Sequence, residues 1–428
     1  MPENPIKSIV DKNRSGKNIG IYSVCSANEL VLRAAIRHAV NRKYPLIIES
    51  TANQVNQFGG YTGIRPDDFI AKVQTITQGE GLASENLILG GDHLGPLVWQ
   101  NESEKTAMEK AVELVKAYTL AGFNKINLDT SMKLADDPPG PLDPRLCAHR
   151  GAVLAKAVYN SYSNKPDSIR PVLVIGSEVP IPGGQKTEAS KNETGITITE
   201  ASDFLQQVSV YKEEFIKAGL DFNDVAAFVV QPGVEFGDDF VHFYNSKKTK
   251  ALSNALKAIP GFVFEGHSSD YQRSEDLKNM VTDGVAILKV GPGMTFALRE
   301  TLFLLEAVEE VLIPLASRSN FKKTLLEEMS KNKIYWEKYY LGTPKEIEYK
   351  KLYSYSDRCR YYLPAENVKK AMEKLIANIP ELPPALLSQF FPLQYRRYMA
   401  GKLSNDPLSI IYDRIGEICN DYALACGY

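Results

Sequence analysis

Short apolar runs alternate with longer amphipathic stretches up to about residue 311 of the chain. The runs fall at 19–26, 45–51, 86–91, 125–130, 171–178, 226–231, 261–266 and 285–290. Most are continuous rather than alternating, as parallel strands covered on both faces are. Between them, segments such as 104–121 and 201–218 carry helical spacing and run into Gly122 and Gly219, residues suited to stopping a helix. Eight strand-then-helix units predict an α/β fold whose parallel sheet closes into a TIM (β/α)8 barrel.

The rhythm stops after a helix that carries Arg299 and reaches about Val311. From about 315 to 428 the chain reads as helices broken by Pro364, Pro380, Pro383, Pro384, Pro392 and Pro407. The expected organisation is a barrel over 1–314 that carries the site, with a mostly helical extension over 315–428 docked on it. The extension is rich in aromatics, among them Trp336, Tyr339, Tyr340, Tyr361 and Tyr362, and these read as packing surface.

A length of 428 residues and 44% hydrophobic content are enough for a barrel of about 250 residues plus a large extra region. The net charge of −2 provides no electrostatic footprint for nucleic acid or an anionic membrane, which points to a small-molecule partner. With neither a secretory apolar core at the amino terminus nor a bilayer-length apolar span, the expected location is cytoplasmic. Five scattered cysteines without a CxxC pair read as buried or unreactive thiols rather than disulfides or a zinc cluster.

Candidate chemistry gathers at the strand ends. Gly90-Gly91-Asp92-His93-Leu94-Gly95-Pro96 delivers an acid and an imidazole after the third run, at the barrel end where catalytic groups sit. Glu178 closes the fifth run, Gln231 closes the sixth and His267 follows the seventh. Imidazole and oxygen donors converging from neighbouring strands suit a divalent metal, so His93, Glu178, Gln231 and His267 are the expected ligands. His38, His149 and His242 fall in helices or their flanks and read as surface or packing residues.

The chain resembles the Z-subunit family of tagatose-bisphosphate aldolase over essentially its full length. The segments that carry the likeness are Ser23-Val24-Cys25-Ser26-Ala27, Glu49 with the loop 53–63, Gly90 through Pro96, Val230 through Phe236, and Lys289-Val290-Gly291-Pro292. The resemblance implies a barrel related to the class II, metal-dependent aldolases. It likens Asp92-His93 to their acid–base and ligand pair, and Glu178 before Pro182-Gly183-Gly184 to their glutamate before a Gly-Gly loop. It likens His267-Ser268 to the histidine that precedes a phosphate-binding loop. Gln231 stands where those aldolases have a further histidine, which adds Mn²⁺, Mg²⁺ and Co²⁺ to Zn²⁺ as candidate cofactors. Lys289-Val290-Gly291-Pro292-Gly293 replaces their Asn-x-Asp-Thr segment, so the cradle for a first-carbon phosphate is in question.

These parts suit a retro-aldol step on a ketose phosphate, with a metal as Lewis acid and Asp92 taking the C4 hydroxyl proton. Glu49 and Asp129 are candidates for a second acid–base group, or for orienting the ligands. Asn53 and Gln54, in an amide-rich loop, read either as sugar contacts or as a turn that satisfies its own backbone. Ser268, Lys289, Arg358 and Arg360 complete the expected substrate contacts, although the two arginines could equally pair with Asp357. The leading expectation is a 4-epimerase interconverting D-tagatose 6-phosphate and D-fructose 6-phosphate. The alternative is a non-catalytic subunit that stabilises a separate class II aldolase subunit, and a homo-oligomer stays open in either case. A sugar-phosphate kinase is disfavoured, because no GxxxxGK[ST] cradle is present and Gly184-Gln185-Lys186-Thr187 lacks the spacing.

Overall fold

The computed structural model describes residues 3–164, 168–176 and 196–428. Its centre is a closed barrel of eight parallel strands. They are β1 (Ile21–Cys25), β2 (Leu46–Thr51), β3 (Leu87–Leu94), β4 (Lys125–Leu128), β5 (Val172–Ile175), β6 (Val225–Val230), β7 (Val263–Gly266) and β8 (Val285–Val290). Each strand pairs with its neighbours in sequence, and β8 closes the ring on β1. The helices at 104–121 and 201–217 sit where their patterns place them, and Gly122 and Gly219 take the left-handed φ of 112° and 72° that helix stops require.

The continuous apolar runs conceal a period of two. One face of each strand joins the surrounding helices. The other points inward and changes chemistry along the barrel axis. At the bottom, Ile21, Ile47, Ile88, Val172, Val263 and Ile287 form an apolar plug together with Ile6, Ile9 and Val10. These last three belong to the helix Pro5–Lys12, whose preceding residue Asn4 ties it to the carbonyls of Asn124 and Arg170 just ahead of β4 and β5. Two residues further along the strands, the inward positions are Ser23, Glu49, Gly90, Val174, Glu265 and Lys289, and β4 adds Lys125 and Asn127.

Beyond β8 the helix Pro292–Leu312 leads to a run of further helices. The last, Pro407–Ala425, packs against the helices Glu29–Arg42, Ser274–Thr282 and Pro292–Leu312. One apolar cluster runs without a break from the outer face of the strands into these C-terminal helices. All five cysteines are free thiols. Among the described residues no helix is long and apolar enough to cross a membrane. His242, expected near a helix, lies instead in a two-stranded ribbon formed by Glu235–Phe236 and Val241–His242.

Candidate active site at the barrel mouth

Two steps up from the plug, the barrel interior becomes ionic. Lys125, fully buried, pairs with Glu49 and, at 2.7 Å, with Glu265. Lys289 reaches Glu49 and Asp92, each at 2.5 Å. Burial disfavours the charges on Lys125, Lys289, Asp92 and Glu265, yet attraction to the opposite charges around them wins. Lys125 and Lys289 hold Glu265 well below the ordinary carboxylate range, Glu265 and Glu49 hold Lys125 above the ordinary ammonium value, and Asp92, Glu49 and Glu265 do the same for Lys289. Glycine makes room for this layer, since a β-carbon at Gly90 would lie 2.5 Å from the Glu49 side chain.

One more step up are Asp92, His93, Asp129 and His267. The strand β3 is longer than its apolar run and includes Asp92 and His93, with a break in its register against β4 between Gly91 and Leu94. At that break His93 adopts a left-handed φ of 49°, a strained conformation for a residue with a side chain. Just beyond it, a β-carbon at Gly95 would fall 1.7 Å from the Asp129 carbonyl oxygen, so the segments leaving β3 and β4 pass this closely only because residue 95 is glycine.

The imidazoles share one design. His93 Nδ1 bonds Asp129 Oδ2 at 3.0 Å, and Asp129 Oδ1 is itself held by the Ser131 N–H and hydroxyl. His267 Nε2 bonds Glu265 Oε1 at 2.9 Å, and Asn127 Nδ2 donates to the same oxygen. A carboxylate thus fixes one nitrogen of each ring and leaves the other to accept, the arrangement seen behind metal-bound histidines. The rings face each other edge-on with centroids 5.0 Å apart. Burial lowers the proton affinity of His267 despite Glu265, whereas at His93 the carboxylates of Asp92 and Asp129 outweigh burial and raise it. For Asp92, burial is overcome by His93, Lys289 and His267, which hold its carboxyl far below the usual range.

Ligand atoms of Asp92, His93 and His267 lie within 4.8 Å of one another. Around them, the carboxylates of Glu49, Asp92, Asp129 and Glu265 outnumber the ammonium groups of Lys125 and Lys289 by two. Two imidazoles, one carboxylate and a surplus of two negative charges fit a divalent cation.

The other expected site residues divide. Asp92, Asp129, Asn53, Gln54, Ser268, Lys289, Arg358 and Arg360 line one cavity of about 540 Å³ together with both histidines. Glu49 does not reach it: the side chain is sealed beneath the floor with its oxygens on Lys125 and Lys289, so it holds lysines in place rather than meeting a substrate. Gln231 turns away as well, because its Oε1 accepts the N–H groups of Gly233 and Val234 and caps its own loop. Glu178 lies outside the described residues, as do Pro182-Gly183-Gly184 and Gly184-Gln185-Lys186-Thr187. In the amide-rich loop, Gln54 Oε1 accepts from Thr51 N–H and Asn56 Oδ1 from Phe58 and Gly60, leaving Asn53 exposed at the rim.

The C-terminal helical region supplies the outer wall. Trp336, Tyr340 and Tyr362 are buried packing, as expected, but Tyr335, Tyr339 and Tyr361 line the cavity. Arg358 stacks on Tyr339, donates to the Tyr335 carbonyl and keeps a buried Nε with no partner. Arg360 is held by the Ser356 and Asp357 carbonyls and the Tyr361 hydroxyl. Neither arginine pairs with the Asp357 carboxylate, which binds Arg299 and Thr295 instead. Lys125, Asn127 and Glu265 were missed at the sequence level. Counting back two residues at a time from Asp129 and His267 would have found them.

Residues 6–427 match the family model described as D-tagatose-1,6-bisphosphate aldolase subunit GatZ/KbaZ-like. A D-tagatose-1,6-bisphosphate aldolase subunit GatZ from Salmonella dublin is 44% identical over 98% of this chain and 99% of its own length. The protein of the same name from Klebsiella pneumoniae is 43% identical with the same coverage. A crystal structure titled as a probable tagatose 6 phosphate kinase from Sinorhizobium meliloti 1021 superimposes with a TM-score of 0.87 at 37% identity, covering 95% of this chain and all of that one.

Proposed function

The chain belongs to the GatZ/KbaZ-like family of D-tagatose-1,6-bisphosphate aldolase subunits, and from that premise we propose that it serves as the Z subunit of such an aldolase, bound to a separate catalytic class II subunit. Likeness along the whole chain to curated subunits of that name carries this reading. It is tested by purifying the chain with and without a class II tagatose-bisphosphate aldolase catalytic subunit. A stable complex that lengthens the half-life of aldolase activity supports it; no complex and an unchanged half-life refute it.

A second reading is favoured by one feature, the Asp92, His93 and His267 cluster with its two carboxylate-anchored imidazoles. On this reading the chain is itself a metal-dependent 4-epimerase acting on D-tagatose 6-phosphate and D-fructose 6-phosphate. A divalent cation held by His93 and His267 beside Asp92 would supply Lewis-acid polarisation of the ketose oxygens. The chain's own groups do the rest. Asp92, ionised across the neutral range and exposed to the cavity, accepts the C4 hydroxyl proton as the C3–C4 bond breaks and its electron pair passes toward C2. Asp129 and Glu265 keep the imidazoles oriented, and the Lys289 ammonium balances the buried charge at the floor. Arg358 and Arg360 hold the terminal phosphate at the rim. Re-addition to the opposite face of the aldehyde, with return of the proton, produces the C4 epimer.

Incubation of the chain alone with fructose 6-phosphate separates the two readings. Chelator-sensitive formation of tagatose 6-phosphate supports the epimerase, and its absence with Zn²⁺, Mn²⁺, Mg²⁺ and Co²⁺ refutes it. A coupled assay for triose release detects cleavage without re-addition.

A further inference from the structure

Phosphate-binding barrels commonly place the anion between the loops after the seventh and eighth strands, at the N-terminus of a helix. In this chain those elements are the loop after β7 and the start of the helix Pro292–Leu312, which has no side-chain cap from its own N-terminal residue. A carboxylate from the neighbouring loop takes its amides instead. Asp270 Oδ1 accepts from Gly291 N–H at 3.0 Å and from Gly293 N–H at 2.7 Å. Glycine at 293 permits this, since a β-carbon there would stand 3.0 Å from the same oxygen. The loop is pinned from below, where Ser269 Oγ donates to the Lys289 carbonyl at 2.6 Å.

This contact is more than a cap between two elements, because Asp270, Gly291 and Pro292 all form part of the cavity wall. Ser268, two residues away at a left-handed φ of 53°, lines the same cavity, and its buried hydroxyl has no partner. A carboxylate shares with phosphate its negative charge and its oxygen acceptors, so it can satisfy the donors that would otherwise hold a phosphate. It also repels a second anion from the same wall.

We infer that Asp270 is a specificity-determining residue whose carboxylate occupies the barrel's phosphate cradle, so that the cavity takes a ketose monophosphate and rejects a ketose bisphosphate. The choice of a ketose rests on the second reading above; the occupied cradle does not. The phosphate of the ligand is left to Arg358 and Arg360 at the rim.

The test titrates inorganic phosphate calorimetrically into the full-length wild type, D270A and D270N, and soaks phosphate into crystals of each. D270A is expected to bind one more phosphate per chain than the wild type, seated on the Gly291 and Gly293 amides. D270N, whose amide oxygen still accepts both N–H groups, gains none. A D270A chain that folds but gains no phosphate, or a wild type that already holds phosphate on those amides, overturns the inference. As a second measurement, wild type should bind fructose 6-phosphate at least ~10-fold more tightly than fructose 1,6-bisphosphate; equal affinity also overturns it, and this comparison decides alone if D270A does not fold. Should the chain bind neither sugar while D270A gains its phosphate, the cradle assignment stands and the ketose reading fails.

Discussion

Lys125→Met tests the ionic floor most directly. The lysine is fully buried, and its ammonium joins Glu49 to Glu265. Methionine keeps most of the volume and removes the charge, leaving Glu49, Glu265 and Asp92 with Lys289 as the nearest ammonium. Breaking a buried ion pair on one side costs about 3–5 kcal/mol. An independent route leads to the same size. The variant can relieve the surplus charge by protonating one carboxyl, and holding an ordinary glutamic acid protonated at pH 7.5 costs about 4 kcal/mol, against about 1 kcal/mol at pH 5. The sign follows. A carboxyl whose folded pKa is raised above its unfolded value stabilises the fold at low pH, and that contribution is lost as pH rises from the unfolded pKa to the folded one. Urea unfolding of wild type and K125M should therefore show a penalty of ~3–5 kcal/mol at pH 7.5 that shrinks to ~1–2 kcal/mol near pH 5. A penalty under about 1 kcal/mol at pH 7.5, or one that does not change with pH, would refute the account of the floor.

Three further outcomes are expected. Mn²⁺ or Zn²⁺ at one hundred times its dissociation constant should stabilise the wild type by ~2.7 kcal/mol, and H93A or H267A should lose that increment in a thermal melt; an undiminished metal shift in both variants would remove these imidazoles from the site. R360A should weaken binding of a ketose phosphate by ~10- to 100-fold, the worth of a charge-assisted hydrogen bond, while leaving the metal shift intact; calorimetry with the phosphorylated and the unphosphorylated sugar checks that the loss follows the phosphate. His38, whose Nδ1 bonds the Tyr44 hydroxyl at 2.8 Å, is held by burial at a pKa of about 4. That depressed value contributes stability above the unfolded pKa near 6.5, lost as pH falls toward 4, so acid unfolding should ease by ~1 kcal/mol over that window after discounting for partial exposure, and H38Q should flatten the profile.

The apolar runs announce eight strands because a barrel strand is covered by helices outside and by neighbouring side chains inside. The same completeness of burial hides what the inner face does. In β7, Glu265 sits among Val263, Phe264 and Gly266, and in β4 Lys125 reads as a polar residue marking the strand's start. Each strand offers the interior only about three residues, too few for a period of two to stand out against the outward positions. Asp92, His93 and His267 were legible because they sit at the top, where the chain leaves the apolar pattern. Gln231 met the same criterion, and the local requirement to cap Gly233 and Val234 turned it aside. The rim was legible only in part: Asn53, Gln54, Arg358 and Arg360 stood out as polar groups suited to a sugar phosphate, whereas the tyrosines between them did not. Tyr335, Tyr339 and Tyr361 reach the cavity through docking of the C-terminal helices, and a tyrosine that packs and one that lines a mouth have the same appearance in sequence.

The floor and mouth together bear on whether this chain only supports a partner. A barrel interior filled with aliphatic layers is stable, and replacing buried ion pairs by apolar residues is often neutral or favourable by about 1–4 kcal/mol. Here the plug of isoleucines and valines already closes the bottom of the barrel, yet the layers above it bury four carboxylates and two lysines. Contact with another subunit through an outer surface uses none of them. The arrangement also has a direction: Lys125 joins the lower carboxylates Glu49 and Glu265, Lys289 reaches from Glu49 up to Asp92, and Asp92, Asp129 and the two anchored imidazoles lie above them along the cavity. Fold stability explains neither this layering nor the left-handed backbone at His93. The second reading, in which a cation and an oxygen-rich ligand bind at the mouth, would account for both, and a chain that contacts an aldolase through its surface could also carry such a site.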